Sequence, residues 1–142
     1  MIKQISVFLE NKSGRLIRVA QALGEAEINI RGLSIADTSD FGILRMIVDK
    51  PEKAITELKN RGMMATVTEV IAMEVPDTPG GLATVLSYLE DAGINIEYLY
   101  SFIEKPTSNA IIMMRVEKID AALEVLKKHE VPIVGGERIY SF

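Results

Sequence analysis

Two glycine-containing turns hold the residues of this chain best suited to chemistry: NKSGRL at residues 11–16 and DTPGGL at residues 77–82. Each precedes a stretch with helical apolar spacing, so each presents a helix start, where backbone N–H groups lack intrahelical partners and the helix dipole is positive. That environment suits a carboxylate, and glycine lets a ligand approach the backbone closely. Simple capping explains the same residues: Ser13 or Thr78 satisfies the helix end and the glycine serves the turn. A repeated Asn tips the balance toward a ligand. The tripeptide INI occurs at 28–30 and again at 94–96, although Asn is depleted in strands and offers the backbone competing hydrogen bonds. Asn29 and Asn95 open the strand that follows each helix. There they supply a second polar group for a small pocket, turned away from the flanking isoleucines by strand alternation.

Other chemistry finds less support. His129, the one histidine, lies in LKKHEV near the end of a helix, where a cation suits the dipole. No nucleophile, base and orienting group assemble around it, no metal-ligand cluster is spaced for coordination, and no carboxylate pair stands out for acid–base work. Tyr98, Tyr100 and Phe102 alternate along one strand and so share a sheet face. Such a row can stack nucleic-acid bases. The first half of the chain has no matching row and the chain carries a net charge of -4, which favours packing.

The elements that must position these turns are legible in the apolar pattern. With 142 residues, 48% hydrophobic and 25% charged, the chain can bury a core, as one domain or as two small ones. Lys and Arg number 16 against 20 Asp and Glu, so no broad basic surface neutralises phosphates, and nucleic acid or anionic membrane is not an expected partner. The absence of Cys removes disulfides and thiolate sites. No apolar run is long enough to span a bilayer and the N-terminal stretch is too short and interrupted for a signal, which leads to the expectation of a soluble cytoplasmic protein.

Sliding the sequence against itself by about 66 positions aligns Ile5, Gly14, Leu16, Val19, Leu23 and Ile28–Ile30 with Ile71, Gly80, Leu82, Val85, Leu89 and Ile94–Ile96. After two extra residues in EKPTSN, an insertion expected at a hairpin tip, the match resumes from Ile43 opposite Ile111. In each repeat a period-2 strand gives way to a helical stripe, then to two β-rich runs, with Ser39 and Asp40 as the turn in the first repeat, then to a second helical stripe. Pro51 opens that second helix in the first repeat, and MMATVTEV closes the unit as a strand. The expected fold is therefore α+β: two ferredoxin-like βαββαβ units with antiparallel sheets, at residues 1–69 and 70–142.

With the order of elements, the two glycine turns and both INI tripeptides in place, the chain resembles the ACT domain, a small regulatory module of amino-acid metabolism, in tandem and over nearly its whole length. The resemblance implies domains packed side by side and free amino acids bound at the interface between them. Residue by residue, it makes Asn11 and Asp77 the polar position before the turn glycine. Ser13, Gly14, Arg15 and Leu16, and Thr78, Pro79, Gly80, Gly81 and Leu82, become the surround of a ligand carboxylate. Asn29 with Ile30, and Asn95 with Ile96, hold the ammonium or carboxylate end, facing across from a neighbouring domain. Ser13 stands where Pro is common and Arg15 is larger than Gly81, so two unequal sites are expected.

The resulting expectation is a free-standing sensor without catalysis, cofactor or metal, which binds an amino acid and signals to a separate metabolic enzyme, with a homodimer as a further expected assembly. The alternative is a ligand-independent assembly or regulatory subunit of such an enzyme.

Overall fold

The computed structural model describes residues 1–10, 12–37, 40–102 and 108–141. Asn11, Ser39 and most of the EKPTSN stretch lie outside the described residues. The chain divides into two units. The N-terminal unit comprises residues 3–68 with 141, and the C-terminal unit comprises residues 69–140 with 1–2.

The N-terminal unit contains β1 (Ile2–Glu10), α1 (Arg15–Glu25), β2 (Ile30–Asp37), β3 (Phe41–Val48), α2 (Pro51–Asn60) and the start of β4 (Met64–Pro76), with strand order β2-β3-β1-β4. β3 pairs antiparallel with both neighbours: Ile5 and Leu33 face Met46, and Val7 and Ile35 face Leu44. Directly paired residues share a sheet face. The period-2 positions Ile5, Val7, Leu44, Met46 and Val48 therefore form one apolar surface, onto which Val19, Ala22 and Leu23 of α1 and Ala54 and Leu58 of α2 pack. Pro51 begins α2, its missing N–H falling where no intrahelical acceptor exists.

The C-terminal unit repeats this with the rest of β4, α3 (Gly81–Asp91), β5 (Ile96–Ser101), β6 (Asn109–Val116) and α4 (Ile119–Lys128), followed by a short α5 (Gly136–Ser141). Its strand order is β4-β6-β5. Ile71, Met73, Val75, Met114 and Val116 provide the apolar face, covered by Val85 and Leu89 of α3 and Ala122 and Leu126 of α4. In the expected row of aromatics, Tyr100 and Phe102 are buried and Tyr98 is half-buried.

The antiparallel α+β architecture follows the repeat, with two differences of detail. The strand that closes the first repeat and the strand that opens the second are one 13-residue strand, β4, because no turn residue interrupts MATVTEVIAMEVP. The closing strand of the second repeat shrinks to an isolated bridge between Met73 and Ile133, flanked by hydrogen bonds from Glu74 N–H to the Pro132 carbonyl (2.9 Å) and from Val134 N–H to the Ala72 carbonyl (2.8 Å). Pro132 has no N–H to extend a ladder, and Gly135 and Gly136 lead directly into α5.

Leu23 and Leu89 occupy equivalent places in the two repeats and both have zero exposed area. Each Leu→Ala substitution is expected to lower unfolding free energy by about 2–5 kcal/mol, read as a shift of the urea midpoint.

Candidate functional site

Each unit has a cleft beside the start of its first helix. In the C-terminal unit the cleft encloses about 400 Å³. One wall is the turn Thr78-Pro79-Gly80-Gly81, another is Thr84, Val85 and Tyr88 along α3, and the third is His129 to Pro132 after α4, with Glu74 and Pro76 of β4 at its edge. Positions 81, 84, 85 and 88 fall three and four apart, so one helix face serves the whole wall.

Gly80 is the N-cap of α3 in the left-handed region (φ 81°), and no side chain caps the helix. Gly81 follows for a steric reason. A Cβ there would lie 2.1 Å from the Pro76 carbonyl oxygen, so only glycine lets the helix start this close to the end of β4. The Thr84 hydroxyl donates to the Gly80 carbonyl (3.0 Å), which leaves its lone pairs free to accept. Across the cleft the His129 ring, at the C-cap of α4, stacks on Tyr88 with centroids 3.9 Å apart and planes 3° from parallel. Glu74 pairs with Arg138 at 3.6 Å. The cleft therefore offers backbone donors at one end, carboxylate and hydroxyl acceptors elsewhere, and a flat aromatic wall.

The N-terminal unit has the corresponding cleft, of about 250 Å³, between Phe8, Leu9 and Glu10 of β1, Arg15, Arg18 and Val19 of α1, Phe41 of β3, and Arg61 to Met64 after α2. Gly14 has the same left-handed N-cap geometry as Gly80 (φ 87°). Arg15, at the place of Gly81, pairs with Glu10 at 3.6 Å, and Lys12 reaches the same carboxylate at 3.0 Å. The hydrogen bond and charge of Lys12, then the charge of Arg15, hold the Glu10 carboxyl below its ordinary range.

The family model for the ACT domain pair matches residues 1–141. This chain belongs to the ACT domain pair family. It is 41% identical to a crystallised protein from Bacteroides thetaiotaomicron, with a TM-score of 0.92 over 99% of this chain and 96% of that one. Crystal structures of the aspartate kinase regulatory subunits from Thermus thermophilus and Thermus flavus are 22% and 21% identical, with TM-scores of 0.63 and 0.60 over 89% of this chain and 91% and 90% of those chains. These two likenesses show the fold. No curated protein matches the chain.

Within the C-terminal ACT unit, Thr78, Pro79, Gly80 and Gly81 come together at one cleft, while Asp77 is exposed on the same turn and Leu82 packs on the core. In the N-terminal unit Arg15 lines the cleft, Ser13 and Gly14 form the exposed turn, and Leu16 faces a second depression with Arg15 and Ile35.

Asn29 and Asn95 are exposed, each just ahead of a strand starting at the half-buried Ile30 or Ile96. They are not brought to the turn of their own unit. The 11-residue α1 and α3 intervene, and at ~1.5 Å per residue each separates the two by roughly the length of the helix, about 16 Å. The Asn29 backbone is held instead by Asp49: its N–H donates to Oδ1 (3.0 Å), and its carbonyl accepts the Asp49 N–H (3.1 Å).

Sequence reasoning missed Tyr88 and His129 as cleft residues. The helical phase of 81, 84, 85 and 88 contained a signal for Tyr88. Nothing local pointed to His129, whose place depends on how α4 ends beside α3. Among the described residues no group of His, Asp and Glu is arranged to hold a metal ion, and no helix is long and apolar enough to cross a membrane.

The contact at position 81 has a measurable consequence. Gly81→Ala forces the turn apart and is expected to cost about 1–3 kcal/mol in urea unfolding. Gly24→Ala in α1, where a Cβ meets nothing within 4 Å, is expected to be neutral or to stabilise by about 0.5–1 kcal/mol.

Proposed function

We propose that this ACT domain pair is a regulatory protein that reversibly binds a free amino acid and passes occupancy to a separate metabolic enzyme in the cytoplasm, with residues 1–69 and 70–142 as its domains. The observation that carries this reading is the C-terminal cleft, where an uncapped helix start at a left-handed Gly80 faces acceptor groups and an aromatic wall. A zwitterion matches that layout. Its carboxylate meets the N–H groups of the turn, its ammonium meets Thr84 Oγ1 and the Glu74 and Glu130 carboxylates, and its side chain lies along Tyr88 and His129. The resemblance to aspartate kinase regulatory subunits supports a regulatory role without catalysis.

Asp77, with Asn11 in the first repeat, acts in this proposal as the polar residue of the turn. Asn29 and Asn95 act on ligand held at a turn other than their own, because each lies at the far end of its own helix. The N-terminal turn, with Ser13 for Pro79 and Arg15 for Gly81, is the unequal partner.

The test is calorimetric screening of the twenty amino acids against the full chain. At least one is expected to bind with a dissociation constant between about 1 μM and 1 mM. Thr84→Val and Tyr88→Ala are each expected to weaken it by about tenfold, with far-UV circular dichroism unchanged. Absence of any binder up to about 10 mM, with the protein folded, removes the reading.

A second reading, as a ligand-independent assembly module, is favoured by one observation. Leu16 and Ile17 of α1 and Leu33 and Ile35 of the outer strand β2 are 40–57% exposed, an apolar group of the kind that contacts protein partners, a second copy included. Light scattering distinguishes the cases: a dimer lost in Ile17→Glu and Ile35→Glu supports assembly through this surface, whereas a monomer rules out self-association there.

A further inference from the structure

The two clefts occupy the same place in the repeat but differ in charge. Where the C-terminal cleft has Gly81, Thr84 and His129, the N-terminal cleft has Arg15, Arg18 and Arg61. Three guanidiniums line one cleft of about 250 Å³ in a chain whose net charge is -4.

Their partners are uneven. Arg15 shares Glu10 with Lys12, and Arg61 pairs with Glu25 at 2.9 Å and with Glu57 at 3.9 Å. Among the described residues Arg18 has no ion pair. A guanidinium is a planar fork of donors suited to two oxygens at once, and that of Arg18 is not already engaged by a carboxylate.

Glu10, held by Lys12 and Arg15, is the one carboxylate in the lining among the described residues, and the remaining side chains are apolar. Phe8 and Phe41 face each other with ring centroids 5.0 Å apart, tilted by 34°, and both are exposed at 43% and 46%. Leu9, Val19, Met63 and Met64 continue that lining. An exposed aromatic pair beside an unpaired guanidinium offers one surface for a ring and another for an anionic head. The volume lies below the roughly 300–1,000 Å³ of drug-sized sites, which fits a molecule of metabolite size and not a nucleotide.

We infer that this cleft is a second ligand site, independent of whether the C-terminal cleft binds an amino acid, for a small organic anion: a carboxylate or phosphate head on an aromatic or apolar body. Arg18 takes the head, with Arg15 and Arg61 beside it, and Phe8 and Phe41 take the body. The C-terminal cleft lacks these cations, so a single duplicated cleft serves two chemical classes.

The experiment is a titration of the full chain observed at the arginine Nε–H resonances. Phenyl phosphate and 3-phenylpropionate are the probes, and inorganic phosphate is the control without a body. The Arg18 resonance, with Arg15 or Arg61, is expected to move saturably with at least one aryl anion at low millimolar concentration, and inorganic phosphate to bind about fivefold or more weakly. The tighter of the two aryl probes identifies the head group. Arg18→Gln is expected to weaken that probe by about tenfold or more, and Arg18→Lys by less, because charge is kept while the fork is lost. Phe8→Ala weakens the aryl probes and leaves inorganic phosphate unchanged.

Equal binding of aryl anions and inorganic phosphate overturns the inference, as does an Arg18→Gln protein that binds as well as the parent. Thr84→Val, in the other cleft, is expected to leave the aryl titration unaltered. A change there overturns the independence of the two sites without bearing on whether amino acids bind.

Discussion

The C-terminal unit depends on one steric constraint: a Cβ on residue 81 would lie 2.1 Å from the Pro76 carbonyl oxygen, which leaves no space for a side-chain carbon. Because of it, α3 rises directly from the end of β4, and the turn between them has its backbone exposed and its helix uncapped by any side chain. The position of α3 then fixes which of its faces meets the sheet and which meets the end of α4, so the cleft follows from the turn. The first repeat reaches the same left-handed glycine at position 14 but carries Arg15 next, and its turn is satisfied by charge pairing at Glu10. Fold and duplication are shared; the means of closing the turn are not.

The architecture was legible in the sequence because it depends on spacing. Alternating Ile5 and Val7, and Ile71, Met73 and Val75, mark strands with one covered face, and the stripes ending at Leu23 and Leu89 mark the helices that cover them. The merging of two strands into β4 was not marked, since nothing in a run of β-formers says where one strand becomes the next. The dwindling of the last strand was foreshadowed by Pro132 and by the two glycines after Val134, but only pairing shows how little ladder remains. For the candidate site the turns were legible as glycine and proline chemistry. The clefts were not, because residues after α2 and α4 reach them through tertiary packing. Asn29 and Asn95 show the limit most clearly: adjacency in sequence to a helix does not place a residue near the other end of that helix.

A repeat makes each unit a control for the other. Val19 and Val85 take the same place beside their clefts and are buried alike, while the residues just before them differ, Arg18 in one repeat and Thr84 in the other. Positions answering to the core stayed apolar, and positions facing the cleft changed charge and shape. That division is expected when packing sets the fold and grafted side chains set the use.

The outer strands β2 and β5 carry one more feature of this kind. Both have an irregularity in register at the same point, between Ile30 and Gly32 and between Ile96 and Tyr98. In a regular strand, residues three apart face opposite sides. Here Ile96 and Leu99 both pack on the same core, and Ile30 packs on the core that Leu33 approaches through its pairing with Met46. The extra residue acts as a parity switch, and both halves carry it. Length changes in this hairpin are therefore unequal in effect: at the tip they extend a loop, whereas loss of one residue beside Ile30 or Ile96 would turn the remainder of the strand inside out.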